Sequence, residues 1–283
     1  MRADLHTHTL YSFDGDPTAT VNAMCESAIA KGLTHLAITD HCDINGEIEG
    51  IYPVLDKDAV FDAVCAAKKT YARRLTVLFG IELGQATQYP TEARALLERY
   101  PYDIVLGSLH NLANTPDFYY MSVQDADFPA PQLAEMSDGE IAALFERSLQ
   151  ETSALLDFEG IHVLPHLTYL HRYVRQVGRK LNFTPHLPQI AALFEKMIRQ
   201  GVALELNTSS LVADGTGLPM PTAELLALYR QCGGKLISVG SDAHVPHRIA
   251  QSFDAAAALL TACGFTALSV PTAGGILTLP INS

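Results

Sequence analysis

Residues 75–83 read Leu-Thr-Val-Leu-Phe-Gly-Ile-Glu-Leu, an almost continuous apolar run that contains one carboxylate, Glu82. Apolar runs of this length are typical of strands buried on both faces, as in a parallel sheet. A carboxylate inside such a strand is costly unless it is paired or bound to a metal. We therefore expect Glu82 to be either a metal ligand or one half of a salt bridge to a Lys or Arg that lines the sheet.

Similar strands alternate with helical patterns along nearly the whole chain. After a short start at residues 3–5, strands are expected at 33–39, 75–83, 102–109, 161–164, 202–206 and 236–240. Helices are expected at 16–31, 58–74, 90–99, 137–156, 189–200, 222–232 and 248–263. About seven such units without a linker predict an α/β protein with one closed β/α barrel over residues 1–283, ending in a short tail at 271–283. An open, doubly wound parallel sheet is the alternative.

Two connections, 111–136 and 168–188, are longer than most loops of a compact domain. Each follows a strand, and therefore lies on the side where barrels carry their active sites. These two loops are expected to determine specificity.

Composition excludes several classes of protein. The net charge of −12 argues against binding nucleic acid or an anionic membrane through bulk charge. The sequence has neither a signal peptide nor an apolar run of the roughly 20 residues that span a bilayer. The five cysteines form no C-x-x-C pair and fit reduced thiols in the cytoplasm. The expected partner is a small molecule.

Metal-binding residue types fall at the ends of the predicted strands. In chain order they are His6, His8, Asp40, His41, Glu82, His110, His166, Asp242 and His244. The strand ends of a barrel converge on one opening although they are distant in sequence. His6 and His8 lie two residues apart, so both point to the same side of an extended strand. One such histidine alone is usually an ordinary polar residue, but the whole set indicates a site for zinc, iron or manganese.

Five motifs at these positions resemble those of the polymerase-and-histidinol-phosphatase (PHP) superfamily. They are Asp4-Leu5-His6-Thr7-His8, Thr39-Asp40-His41, Gly80-Ile81-Glu82, Gly107-Ser108-Leu109-His110 and Gly240-Ser241-Asp242-Ala243-His244. Residues 205–209, Glu-Leu-Asn-Thr-Ser, and His166 leading into Arg172-Tyr173 are similar to the histidinol-phosphate phosphatases of that superfamily. The resemblance covers about residues 1–270 and implies a distorted seven-stranded β/α barrel of the PHP type.

The resemblance also implies a site for three divalent metal ions. The first would bind His6, His8, Glu82 and Asp242, the second would share Glu82 and add His110 and His166, and the third would bind Asp14, His41 and His244. Asp14 lies in the loop 11–16 and could instead be a turn residue. Many relatives carry a carboxylate shortly after the fifth-strand histidine, whereas this chain reads His166-Leu167-Thr168-Tyr169, which leaves the exact substrate open.

Clustered metals predict phosphoester hydrolysis, in which a hydroxide bridging the first two ions attacks phosphorus. Glu82, Asp242 and His244 are the catalytic candidates, and His244, His171 or a metal-bound water could protonate the leaving group. Arg172 and Arg175 are expected, with His171, to contact the substrate, since an arginine fork matches phosphate geometry. The alternative for both arginines is a solvated surface loop.

The leading hypothesis is a cytoplasmic phosphatase that converts L-histidinol phosphate to L-histidinol in histidine biosynthesis. One alternative is a PHP enzyme acting on another small phosphoester, such as a nucleotide or a sugar phosphate. A second is a metal-binding PHP module without catalysis. An amidohydrolase is disfavoured, because Glu82 stands where that family typically has a lysine.

Overall fold

The computed structural model describes residues 1–124, 132–211, 215–272 and 274–281. Within these residues its strands are β1 (Ala3–Asp4), β2 (His35–Ile38), β3 (His41–Asp43), β4 (Thr76–Gly84), β5 (Ile104–Ser108), β6 (Val163–Leu164), β7 (Ala203–Asn207), β8 (Ile237–Gly240), β9 (Ala267–Thr272) and β10 (Gly275–Pro280). The helices are α1 (Val21–Ala30), α2 (Ile44–Glu49), α3 (Lys57–Tyr71), α4 (Pro90–Arg99), α5 (Gln132–Glu135), α6 (Asp138–Leu155), α7 (Tyr169–Gln176), α8 (Leu187–Gln200), α9 (Ala223–Gln231) and α10 (Phe253–Ala262).

The first eight strands form one parallel sheet in the order β1-β2-β4-β5-β6-β7-β8, with β3 pairing against the upper half of β4. The two ends of this sheet meet. The amide of Leu5 donates to the carbonyl of Val239 (3.0 Å), and the amide of His8 donates to the carbonyl of Ala243 (2.9 Å). The sheet is therefore a nearly closed seven-stranded barrel, which confirms the predicted fold over the open sheet.

The barrel strands are apolar because both of their faces are buried. All residues of β5, β7 and β8 are buried, and so is all of β4 except Thr76. Side chains inside the barrel pack on one another, and the outer side chains pack beneath the surrounding helices. This arrangement leaves the carboxyl ends of the strands as the one place where polar side chains from many strands can meet.

Most predicted helices are present, but two begin later than expected. Helix α1 begins after Thr20, whose hydroxyl accepts from the amide of Ala23, rather than at Asp16. The carboxylate of Asp16 instead accepts from the amide and hydroxyl of Thr18, which closes a turn. Helix α10 begins at Phe253 because the left-handed backbone of Ala250 and Ser252 interrupts the predicted helix 248–263.

Six elements of the described residues were not predicted from the sequence: β3, α2, α5, α7, β9 and β10. Strand β3 and helix α2 occupy residues that we expected to form a polar loop. Helix α7 lies inside the connection 168–188, and α5 lies inside 111–136, of which residues 125–131 fall outside the described part. Residues 271–283, expected to form a tail, contain β10, which pairs with β9 in an antiparallel hairpin. Gly275, the first residue of β10, has a φ of 112°, a backbone conformation that favours glycine.

None of the helices in the described ranges is both long enough and apolar enough to cross a lipid bilayer. All five cysteines are free thiols. Cys42, next to His41, is 1% exposed, and burial raises the pKa of its thiol well above the ordinary value. It is therefore a buried thiol rather than an ionised one.

Asp4 stabilises the junction of β1 and β8 that closes the barrel, which we call the seam. It is fully buried, and its carboxylate accepts from the amide of Ser241 (2.9 Å), the hydroxyl of Ser241 (2.6 Å) and the amide of Ala250 (2.8 Å). These contacts tie β1, the first barrel strand, to the chain that leaves β8, the last one. The same seam carries His6, His8 and Asp242.

Replacing Asp4 with Ala is expected to destabilise the fold strongly. The change leaves the buried amide of Ser241 and the partly buried amide of Ala250 without an acceptor, and each unsatisfied buried group costs about 1–3 kcal/mol. Urea denaturation followed by circular dichroism measures the loss, with Asp62→Ala on the exposed face of α3 as the control. Equal midpoints for Asp4→Ala and the wild-type chain would show that Asp4 does not hold the seam.

Candidate metal centre

Glu82, at the carboxyl end of β4, lies at the centre of a cluster of imidazoles. Its side chain is fully buried. Oε2 lies near nitrogens of His6 (3.2 Å), His8 (3.5 Å) and His41 (2.8 Å), whereas Oε1 lies near those of His110 (3.1 Å) and His166 (2.7 Å). These histidines follow or belong to four different strands, so the closure of the barrel is what brings them together.

Two further carboxylates complete the cluster. Oδ1 of Asp242 lies 3.2 Å from Nε2 of His8 and 3.6 Å from Nε2 of His6. Oδ2 of Asp14 lies 3.2 Å from Nε2 of His244 and 3.8 Å from Nε2 of His41. Every residue that the sequence analysis assigned to the metals is therefore in one connected cluster, including Asp14 from its loop.

Ligand atoms in this cluster are close enough to share metal ions. The groups with all ligand atoms within 4.8 Å of one another are His6-His8-Asp242, His6-Glu82-His166, His41-Glu82-His110, His8-His41-His244 and Asp43-His110-Asp117. The group His6-His8-Asp242 contains three of the four ligands predicted for the first ion. Glu82, the fourth ligand, belongs to two of the other groups. His41 belongs to two groups as well, so it could serve the second predicted ion as well as the third.

Hydrogen bonds on the outer nitrogens turn the inner nitrogens towards the cluster. Nδ1 of His6 contacts Glu205 (2.8 Å), and Nδ1 of His110 contacts Asp43 (2.9 Å). Nδ1 of His244 lies 3.0 Å from the carbonyl of Asp242. With the proton on Nδ1, the Nε2 lone pair of each ring faces inwards, which is how histidines are prepared to bind metals.

Several buried atoms of the cluster have no hydrogen-bond partner among the described residues. They are Nε2 of His6, His8 and His244, Nδ1 of His41, and Oε2 of Glu82. Buried polar atoms are nearly always partnered, so this concentration of orphaned atoms needs an explanation. Divalent metal ions would satisfy all of them, and imidazole with carboxylate suits zinc, iron and manganese. The donor set therefore fits a group of divalent ions.

The charges of the cluster also suit metal ions. Burial alone would raise the pKa values of Glu82 and Asp242, but the surrounding imidazoles hold both well below the ordinary range. Burial would lower the pKa of His6, but Glu205 and Glu82 raise it well above its ordinary value. Burial and two neighbouring imidazoles lower the pKa of His8. Metal binding would thus displace protons from some of these rings, as it does whenever ligands must be deprotonated.

Two of the predicted ligands have an unusual backbone. His166 has a φ of 25° and Asp242 a φ of 55°, both in the left-handed region that non-glycine residues rarely adopt. Strain of this kind concentrates at functional sites, where the surrounding structure enforces it. Next to Asp242, Gly240 is required by space, because a Cβ there would lie 2.2 Å from Oε1 of Glu205 and 2.3 Å from Cβ of His6.

The cluster forms the floor of a cavity of about 360 Å³. Aromatic rings line much of its wall, namely Phe13, Tyr52, Tyr119, Tyr120, Tyr169 and Tyr173. Arg172, on α7, also lines the cavity and donates to the hydroxyl of Ser209 (3.3 Å). A cavity of this size, with metal ligands at its base and an arginine on its wall, can hold a small anionic molecule.

His171 and Arg175 do not line the cavity, although both were predicted to contact substrate. Because residues 169–176 form a helix rather than a loop, Tyr169, Arg172 and Tyr173 share one face and the other two face away. His171 packs against the ring of Phe183 (4.9 Å between centroids), and burial lowers its pKa to about 4. Their placement gives no support to roles in substrate binding or leaving-group protonation.

Three acidic residues at the site were not predicted. Glu205 could have been found by the reasoning applied to Glu82, because it is a carboxylate inside an apolar strand. Asp43 lies two residues after His41 and therefore on the same side of β3. Asp117 comes from the connection 111–136, where no periodic signal marks it. Asp40, which we noted at a strand end, instead accepts hydrogen bonds from Thr9 and Ser12 and fixes the segment that carries His8.

The family and the relatives of this chain agree with this geometry. The PHP domain family matches residues 4–209, which is more than half of the chain. A probable histidinol-phosphatase from Clostridium acetobutylicum is 26% identical over 92% of this chain and 93% of the relative. A histidinol-phosphatase from Lactococcus lactis is 23% identical over 95% and 93%, respectively. The chain belongs to the PHP domain family.

Two solved structures share the fold. The histidinol phosphate phosphatase of Lactococcus lactis, crystallised with zinc, L-histidinol and phosphate, aligns with a TM-score of 0.77 at 21% identity, covering 98% of both chains. A putative histidinol phosphatase from Listeria monocytogenes aligns with a TM-score of 0.75 at 18% identity, covering 90% of this chain and 99% of that one. At these identities the likeness shows that the barrel is shared.

Replacing Glu82 with Gln is expected to lower the content of bound metal and to reduce activity by at least about 100-fold. The reason is that this one carboxylate lies against imidazoles of two groups, so its loss affects more than one ion. Metal analysis of the purified proteins by mass spectrometry measures the effect, with Glu92→Gln on the exposed side of α4 as the matched control. A fully metallated and active Glu82→Gln protein would contradict the central position of Glu82.

Proposed function

We propose that this PHP-family protein is a metal-dependent phosphomonoesterase that hydrolyses L-histidinol phosphate to L-histidinol and phosphate. The observation that carries the proposal is the buried cluster around Glu82, which lies at the base of a cavity with Arg172 on its wall. The names of the relatives from Clostridium acetobutylicum and Lactococcus lactis support the substrate, and the zinc in the Lactococcus crystal structure supports the cofactor.

Three sets of residues would hold divalent ions. The first set contains His6, His8, Glu82 and Asp242, the second contains Glu82, His110 and His166, and the third contains Asp14, His41 and His244. When bound, such ions lower the pKa of water and neutralise the charge of a phosphate group. Because Glu82 belongs to both the first and the second set, it links their ligands into one unit.

Neighbouring residues orient the proposed metal ligands through hydrogen bonds. Glu205 accepts from the amide of His166 (2.9 Å) as well as contacting His6, so one carboxylate orients two ligand-bearing strands. Asn207 donates to Glu205 (3.1 Å). Such supporting hydrogen bonds hold ligands to within the tolerance that hydrolysis requires.

Arg172 is the residue we propose for holding the substrate's phosphate. Burial alone would lower the pKa of its guanidinium, but Tyr173 and Asp242 raise it above its ordinary value, so the charge is permanent. The guanidinium also lies over the ring of Tyr173 (5.4 Å to the centroid), which limits its freedom. A planar, pre-oriented guanidinium binds phosphate oxygens in pairs.

The proposal includes the cellular compartment of the enzyme and the class of molecule that it binds. Five free cysteines support a reducing compartment, and we place the enzyme in the cytoplasm. The net charge of −12 supports a small phosphorylated molecule, rather than nucleic acid, as the substrate.

Replacing Arg172 with Ala is expected to raise KM by roughly 10–100-fold, with a smaller change in kcat, because a ground-state contact to phosphate is lost. Steady-state kinetics measure both constants. Arg175→Ala is the matched comparison, since Arg175 lies on the same helix but outside the cavity, and its KM should not change. A KM rise for Arg175→Ala alone would assign the phosphate contact to Arg175.

Phosphate release by the metal-loaded protein tests the proposed substrate. The panel contains L-histidinol phosphate, nucleotides, sugar phosphates and an aryl phosphate. A kcat/KM for L-histidinol phosphate at least about 100-fold above the others supports the proposal, since an enzyme discriminates substrates by the ratio of their kcat/KM values. Activity only on another ester would contradict the substrate, and a metal-loaded protein that hydrolyses none of them would contradict catalysis altogether.

A further inference from the structure

Asp43 and Asp117 lie in the wall of the cavity but outside the proposed metal sets. One carboxylate oxygen of each, together with a nitrogen of His110, falls within a mutual distance of 4.8 Å. His110 is already engaged, because Nδ1 contacts Asp43 and Nε2 contacts Glu82. Two carboxylates that both line the cavity therefore lie close together in this corner.

Asp43, which lines the cavity, has one oxygen without a hydrogen-bond partner among the described residues. The residue is only 2% exposed, and its Oδ1 accepts from Nδ1 of His110 (2.9 Å). Its Oδ2 is buried and has no hydrogen-bond partner among the described residues. A buried carboxylate oxygen without a donor is costly, so the geometry calls for a donor that enters from the cavity.

Asp117 lines the same cavity from the connection after β5. Its Oδ1 accepts from the amide of Tyr119 (2.7 Å), which fixes the side chain in a turn, and from the hydroxyl of Tyr169 at the longer distance of 3.4 Å. A primary ammonium group hydrogen bonds to carboxylate oxygens at about 2.8 Å. Two oxygens no more than 4.8 Å apart can therefore share one ammonium group between them.

Aromatic rings surround the same corner. Tyr169 lies against the ring of His110 (4.9 Å between centroids) and against that of Tyr173 (4.8 Å). Tyr52 stacks on Phe13 (4.1 Å, 3° between planes), and both line the cavity. The faces of aromatic rings attract cations. The rings also exclude water, and the lower dielectric strengthens the attraction between the two carboxylates and a positive charge.

We propose that Asp43 and Asp117 form a binding site for the protonated amine of the leaving group, so that the enzyme selects phosphate monoesters of amino alcohols. This inference rests on the proposed function and narrows its substrate class. L-Histidinol phosphate carries a primary amine on the carbon next to its phosphoester methylene, whereas sugar phosphates and nucleotides have no such group. A neutral or anionic leaving group would leave Oδ2 of Asp43 without a partner. The cost of this unpaired oxygen disfavours esters of such leaving groups.

The test compares two esters that differ only in the amine, L-histidinol phosphate and its deamino analogue, 3-(imidazol-4-yl)propyl phosphate. The wild-type enzyme is expected to prefer the aminated ester in kcat/KM. In Asp117→Asn, kcat/KM for the aminated ester should fall by about 30-fold, the effect of removing one partner of a buried charge pair. The value for the deamino ester should stay within about threefold. Asn can still accept from the amide of Tyr119, so the turn is retained.

Two further measurements separate this role from a structural one. Isothermal titration with the product L-histidinol should show weaker binding to Asp117→Asn, while metal content should equal that of the wild-type enzyme and of the control Asp62→Asn. Equal losses for both esters would overturn the proposal. A fall in metal content would also overturn it, because the two carboxylates would then hold a metal ion.

The proposed substrate and the amine site can fail separately. A wild-type enzyme that hydrolyses both imidazole esters equally well retains the phosphatase function and contradicts the amine site. If neither imidazole ester is a substrate, O-phosphoethanolamine and ethyl phosphate provide a second pair. A preference for phosphoethanolamine that is lost in Asp117→Asn would then support the amine site and contradict the proposed substrate. Equal rates for this pair would contradict both.

Discussion

A carboxylate buried among imidazoles is the constraint on which the rest of this structure depends. Glu82 lies inside an apolar barrel strand with no exposure to solvent, and its oxygens face nitrogens from five histidines. An ionised carboxylate at this depth is stable only among positive charges. These five histidines lie in β3 or directly follow β1, β5 and β6. The position of Glu82 therefore ties the chemistry of the centre to the closure of the barrel.

The seam of the barrel shows the same coupling. β1 and β8 close the sheet, and the segments that follow them carry His6, His8 and Asp242. Asp4 fastens this seam with three hydrogen bonds, whereas Glu205 orients His6 from the side. A loosened seam would separate the ligands of one ion before the rest of the barrel changed. Stability and metal binding are thus expected to respond together to changes at the seam.

The sequence predicted which side chains converge around Glu82 because strand ends are geometrically equivalent in a barrel. His110 and His166 could be assigned without knowing any helix, since only the order of strands and their ends matters. The same logic did not extend to residues 168–188. There, an unrecognised helix separates Arg172, which faces the cavity, from Arg175, which does not. Short local patterns give no sign of such a helix when its eight residues are mostly polar or aromatic.

The supporting acids show a second limit of the sequence. The contact of Asp43 with His110 spans 67 residues, and that of Glu205 with His6 spans 199 residues, so neither pairing is visible along the chain. Asp117 depends on a turn within an irregular connection, which periodicity does not describe. Asp43 and Glu205 contact histidines of the cluster, and Asp43 and Asp117 are the residues that we propose to select the leaving group. None of these contacts can be derived from the sequence pattern alone.

The central claim is that Glu82 organises one centre of several metal ions, and anomalous diffraction from crystals of the metal-loaded protein tests it most directly. The account predicts separate peaks beside the sets His6-His8-Asp242, Glu82-His110-His166 and Asp14-His41-His244, with Glu82 contacting two of the ions. A single ion, or ions that leave both oxygens of Glu82 without a metal contact, would contradict it.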